Sequence, residues 1–202
     1  LLGKVLLYQD KFADAASALD NVIGVYSLVP DYGSQFLRFG ENGPESVFEI
    51  QYSNQSNWYD WGCAHCSEGN YAIIMNGPRG WSGPEYAQGW SFNVPTAEFY
   101  NSFEDGDSRR DATVLDIEAF ASATGASYTE GYDHTGYFNN KYIPRAGESG
   151  GQTELNYLTN FRIIRYSDVL LMAAEAYNRG GIDDGLAQEF LNQVRRRAFG
   201  DD

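Results

Sequence analysis

The chain has 202 residues, 43% of them hydrophobic, which suits one compact domain or a large part of a bigger one with a real core. Its formal net charge of −14 repels phosphate backbones and anionic lipid surfaces, so nucleic acid is excluded as an expected partner. Aromatic residues reach 15%, with fifteen tyrosines, and the tyrosine ring serves both cores and wet binding faces.

Residues 1–30 read as a helical hairpin. Apolar residues recur at Leu2, Val5 and Leu6, then at Ala15, Leu19, Val22 and Ile23, around a polar turn at 9–12. Small Gly3 and Ala15 would let the two helices approach closely, which is the tetratricopeptide arrangement. Residue 1 already lies inside a helical pattern and the chain stops just after another, so the sequence reads as an internal fragment. No stretch has the length of an apolar membrane span, and no signal peptide is present.

Residues 32–42 read as a loop or broken helix, and 47–52 alternate as a short strand. Residues 53–93 are rich in Gly, Asn, Ser and aromatics without a period, and a loop of that length points to function. A helix is expected from Pro95 and Thr96 to about Phe103, broken at 105–107. Residues 112–120 are expected as a strand, 122–136 as a small-residue loop, 137–144 as a weak alternation, and 146–152 as a Gly-rich loop. The strongest helix is expected over 162–178, with Ile163, Tyr166, Leu170, Ala173 and Tyr177 as one stripe, stopped at Gly180 and Gly181. A last helix covers 185–199, with Phe190, Leu191 and Val194 inward. Arg195, Arg196 and Arg197 fall at its end, where positive charge complements the helix dipole. The expected class is mainly α, with tetratricopeptide-like helical hairpins at 1–30 and 161–200, a loop-rich ligand-binding part at 31–160, and a few short strands.

All four tryptophans, Trp58, Trp61, Trp81 and Trp90, lie in the long loop. Sugar rings present C–H faces that stack on aromatic rings and hydroxyl edges that need hydrogen bonds. The candidate ligand residues are Trp58, Trp61, Trp81, Tyr59, Tyr86, Asn57, Asp60 and Arg79. Trp90, beside an apolar run, and Tyr71, beside Ile73 and Ile74, read instead as rings that pin the loop to the core. Cys63-Ala64-His65-Cys66 lacks the strand and helix of a redox motif. As a zinc site it lacks ligands, because His134 is the only other histidine. Glu104, Asp105, Asp107 and Asp111 surround Arg109 and Arg110 and read as a salt-linked turn, and Asp168 and Glu175, near Arg165, as a solvated or ion-paired helix face. No phosphate loop, nucleophile elbow or metal-binding helix motif is present, so no catalytic residue, metal or cofactor is expected.

Four segments in order, LLGKVLLYQDKFADAASALDNVI (1–23), PESVFEIQY (44–52), FNVPTAEFYNSFEDGDSRRDAT (92–113) and NFRIIRYSDVLLMAAEAYNRGG (160–181), followed by LNQVRRRA (191–198), resemble the SusD/RagB family of outer-membrane nutrient-binding lipoproteins. The resemblance spans nearly the whole chain. It implies a non-catalytic glycan-binding subunit at the cell surface that delivers oligosaccharides to a SusC-like TonB-dependent transporter in the outer membrane. It also implies a lipid anchor that these residues do not contain. In such an exported protein Cys63 and Cys66 are expected as a local disulfide, with two free thiols as the other reading. A peptide-binding RagB-like subunit and a protein-binding tetratricopeptide scaffold are the alternative functions, and a carboxylate-pair glycosidase ranks last.

Overall fold

A computed structural model describes residues 1–55, 61–149 and 155–200. The first hairpin is α1 (Leu2–Tyr8) and α2 (Phe12–Asp20). Asp10 turns the chain between them in the left-handed region, at φ 56°. A Cβ on Gly3 would lie 2.6 Å from Leu19 Cγ, so glycine is what admits α1 against α2. Two 3-10 turns, Ser34–Phe36 and Arg38–Gly40, occupy the expected broken segment, and β1 (Ser46–Ile50) is the expected strand. The long loop carries a 3-10 segment at Trp61–Cys66, α3 (Ala72–Met75) and β2 (Arg79–Ser82). Then α4 (Ala97–Asn101) starts where expected, because the Thr96 hydroxyl accepts the Phe99 N–H.

Three expectations are corrected beyond this point, the first being the loop at 122–136, which holds the end of a helix at Thr124 and a strand at Ser127–Thr129. The run 112–120 is not one strand but the end of α5 (Arg109–Thr113), β3 (Val114–Asp116) and the start of α6 (Ile117–Thr124). Asp116 is the cause: its carboxylate accepts the Ala119 N–H at 2.9 Å and caps a new helix. After β4 (Ser127–Thr129) and β5 (Tyr137–Asn139), the helix expected from Arg162 is preceded by a strand, β6 (Phe161–Arg165), and α7 runs Tyr166–Arg179. β6 pairs with β1, which claims the backbone a first helical turn would need. The Arg165 N–H then donates to the Asp168 carboxylate at 2.8 Å, which fixes the first turn of α7. The last helix, α8 (Asp184–Phe199), is capped by Asp183.

The chain divides into two compact units. The first comprises Leu1–Gln35, Asn42–Glu49 and Arg162–Asp202. In it α1 packs on α2, α2 on α7, and α7 on α8, the order of stacked helical hairpins. Its core joins Leu19, Ile164, Val169, Leu170, Phe190 and Val194, with Leu7, Ala15, Ala16 and Ala176 beneath the first hairpin. Glu49 and Arg162 are both buried in this unit and form an ion pair at 3.5 Å. The second unit comprises Phe36–Glu41 and Ile50–Phe161. Two antiparallel ribbons, β2 with β4 and β3 with β5, frame its core of Tyr86, Leu115, Ile117, Phe138 and Ile143. A smaller cluster holds Ile73, Ile74 and Tyr157, with Trp90 packed against it. Among the described residues no helix is long and apolar enough to cross a membrane.

Candidate functional site

The aromatic residues of the second unit divide into a buried set and an exposed set. Residues 74–78 and 89–92 are tied by backbone bonds: Trp90 N–H to Ile74 carbonyl, Ser91 N–H to Gly77 carbonyl, and Phe92 N–H to Met75 carbonyl, each at 2.9 Å. The two stretches lie so close that a Cβ on Gly89 would meet the Asn76 carbonyl at 1.8 Å. Ser91 and Asn93 both adopt positive φ, 57° and 52°, on either side of Phe92. This frame fixes Trp90 and leaves Phe92 54% exposed. Trp61, 47% exposed, lies on Trp90 with ring centroids 5.5 Å apart and planes 30° apart. Phe92 meets Trp90 edge-on at 6.5 Å. Arg79 donates its Nε–H to the Trp90 carbonyl at 2.8 Å and holds its guanidinium 5.7 Å from the Phe92 ring centroid. Trp61, Trp90, Phe92 and Arg79 thus make one continuous face of rings edged by a cation.

Of the residues singled out from sequence, Trp61 and Arg79 belong to this face. Trp58, Tyr59, Asn57 and Asp60 lie outside the described residues. Tyr86 lies in the core of this unit, and Trp81 is half-buried against that core. Tyr86 is 5% exposed, and Trp81 packs edge-on against it at 5.9 Å and against Phe120 at the same distance. Phe120, 39 positions after Trp81, packs against both rings, which the loop's composition could not signal. Trp90 pins the loop as expected. Tyr71 does not: it is 47% exposed, standing before α3 while Ile73 and Ile74 turn inward. Phe92 is the contact candidate that sequence reasoning missed, and its only local signal is its place next to Asn93, a residue suited to the left-handed turn that lifts it.

Burial, with Glu85 alongside and Arg145 opposing, pushes the Tyr86 phenol up to about 12 from its ordinary 10.0. Between those two values the folded chain keeps a proton that the unfolded chain has lost, so stability falls as pH rises through the window. Tyr86→Phe is expected to remove this part of the alkaline limb. Denaturation curves at about pH 9 and about pH 11 check it, and an unchanged limb refutes it.

Cys63 and Cys66 are joined in a disulfide. Their sulfurs and a His65 ring nitrogen lie within 4.8 Å of one another, but a disulfide offers no thiolate to a metal. The acidic turn is salt-linked, Asp107 to Arg109 at 2.6 Å and Asp111 to Arg110 at 2.9 Å. Asp168 pairs with Arg165 and Glu175 with Arg179. In the first unit an open cleft of about 640 Å³ is lined by Tyr26, Leu28, Pro30, Arg196 and Arg197. Its cations are already committed, Arg197 to Glu45 and Arg196 to Glu189, and among the described residues none of the candidate rings lines it.

The profile of the SusD family matches residues 113–202. SusD-like protein P2 of Formosa agariphila is 30% identical over 98% of this chain and 40% of its own length. A laminarin binding SusD-like protein of solved structure is 38% identical with a TM-score of 0.87, over 98% of this chain and 46% of that one. Surface glycan-binding protein A from Bacteroides thetaiotaomicron, in complex with laminarihexaose, is 32% identical with a TM-score of 0.88, over 97% and 45%. The chain spans less than half the length of each of these relatives.

Proposed function

Because this chain belongs to the SusD family, we propose that it serves a cell-surface protein that captures neutral glycans of the laminarin kind without cleaving them. The observation that carries the reading is the exposed face of Trp61 and Phe92 seated on Trp90. Rings of this kind receive the C–H faces of a sugar by stacking. Arg79 spends its Nε–H on Trp90 and has Nη donors for hydroxyls at the edge. Two relatives, a laminarin binding SusD-like protein and a surface glycan-binding protein in complex with laminarihexaose, support the choice of ligand. The net charge of −14 favours neutral glycans over polyuronates. Delivery to a SusC-like TonB-dependent transporter in the outer membrane, with attachment through a lipid anchor, completes the proposal and rests on family membership.

The full chain is expected to be retarded in native gels cast with laminarin and not in gels cast with alginate. Calorimetry with laminarihexaose is expected to show binding, and chromatography of the incubated sugar to show it intact. Shortened oligosaccharides would make the protein an enzyme and end the proposal. Binding to a peptide panel with no retardation in any polysaccharide gel would end it in favour of peptide capture.

A further inference from the structure

We infer that the Cys63–Cys66 disulfide is a positioning clamp for Trp61, so that opening it weakens glycan capture while the protein stays folded. The inference rests on the reading above that Trp61 touches the sugar.

Trp61 opens a short 3-10 segment that runs to Cys66 and breaks at Cys63, where φ is −143° and ψ 68°. Helical order therefore does not pass through Cys63. Beyond Cys66 the chain is held firmly. The Ser67 hydroxyl donates to the Asn156 side chain, the Asn70 N–H to the Tyr157 carbonyl at 2.8 Å, and the Asn70 amide to the Thr159 carbonyl at 2.9 Å. Leu155, Asn156, Tyr157 and Thr159 are all buried. The disulfide spans the break, joining Cys63, two residues after Trp61, to Cys66, next to this anchored stretch. His65 lies against it, with Nε2 3.2 Å from Cys63 Sγ. Trp61 is thus referred to the core from two directions, through the disulfide along the backbone and through Trp90 across the ring face.

The bond closes a loop of only four residues, the size at which a cross-link constrains the unfolded chain least. Its influence is therefore local, on how well the Trp61 ring is ordered before ligand arrives. Ordering one side chain in advance is worth about three- to tenfold in affinity.

Four proteins test this by calorimetry with laminarihexaose: the wild type, Trp61→Ala, Cys63→Ser with Cys66→Ser, and the triple variant. Losing the disulfide is expected to weaken binding about three- to tenfold when Trp61 is present, and not at all when it is alanine. Melting temperatures of the wild type and the serine variant are expected to differ little. The near-ultraviolet dichroism of the Trp61–Trp90 pair is expected to fall in the serine variant. Should the serine variant not fold, a trialkylphosphine applied to the folded wild type gives the same comparison. It breaks the S–S bond, takes oxygen from water to become the phosphine oxide, and leaves two thiols. If Trp61→Ala binds as tightly as wild type, the contact reading and the clamp both fall. If Trp61→Ala weakens binding but loss of the disulfide has no effect, or the same effect in both backgrounds, the clamp alone falls.

Discussion

Replacing Arg197 with methionine is expected to destabilise the first unit by about 3–5 kcal/mol, the usual cost of stripping one partner from a buried ion pair. The Arg197 side chain is 5% exposed and that of Glu45 2%, with Nη1 2.8 Å from Glu45 Oε2. The same guanidinium nitrogen donates to the Val29 carbonyl at 3.2 Å, and the Val29 N–H donates to the same carboxylate oxygen at 3.1 Å. The guanidinium also sits 5.0 Å from the centroid of the buried Tyr32 ring. Methionine fills much of the volume but returns no charge, so Glu45 would keep the Val29 N–H and lose the cation bonded to it inside the fold. The Glu45 carbonyl meanwhile accepts the Tyr166 N–H at 2.8 Å, so the disturbance reaches the first residue of α7. Adding Glu45→Gln to Arg197→Met is expected to recover part of the loss, because an amide tolerates burial better than an unpaired carboxylate. Urea denaturation of the two variants checks this. A cost below about 1 kcal/mol for Arg197→Met would mean that the pair does not lock this unit.

That pair also shows where the sequence is hard to read. Arg195, Arg196 and Arg197 look alike as a charged helix end, yet Arg195 lies over the Phe199 ring, Arg196 pairs with Glu189, and Arg197 is buried. Which arginine goes inside depends on Glu45, about 150 residues earlier, and no local pattern carries that information. The strand at 46–50 was legible by its alternation, but not which of its faces turns inward. Phe48 and Ile50 are 46% and 41% exposed while Glu49 is buried against Arg162. The same buried arginine hid β6, since an inward charge erases the period-2 signal and left 162–165 to be absorbed into the following helical stripe. The hairpins were legible because their cores are apolar at helical spacing, as with Leu19, Leu170 and Phe190, and because Gly3 marks a close approach. The candidate site was half legible. Residue type pointed to the tryptophans, but exposure separates Trp61 from Trp81, and exposure is set by Phe120 and the frame around Ile74.

Trp61→Ala is expected to weaken laminarihexaose binding about tenfold to a hundredfold, or about 1.4–2.7 kcal/mol, the loss typical of an aromatic anchor at the centre of a contact face. The ring is already half out of water's reach on Trp90, whose backbone is tied to residue 74, so a sugar meets a surface that needs little rearrangement. Trp61→Phe keeps a smaller stacking face and is expected to lose less than the alanine variant. Phe92→Ala should also weaken binding, by removing the second exposed ring. Trp81→Ala is the contrast, because it removes a half-buried ring packed on Tyr86 and Phe120 and should act through the melting temperature. Calorimetry on folded samples of each separates the two effects. If affinity is unchanged in Trp61→Ala and Phe92→Ala, stacking on this face is not how the glycan is held. If it falls in both and each melts as the wild type does, the rings are contacts and not supports, and the exposed face on Trp90 is where capture happens.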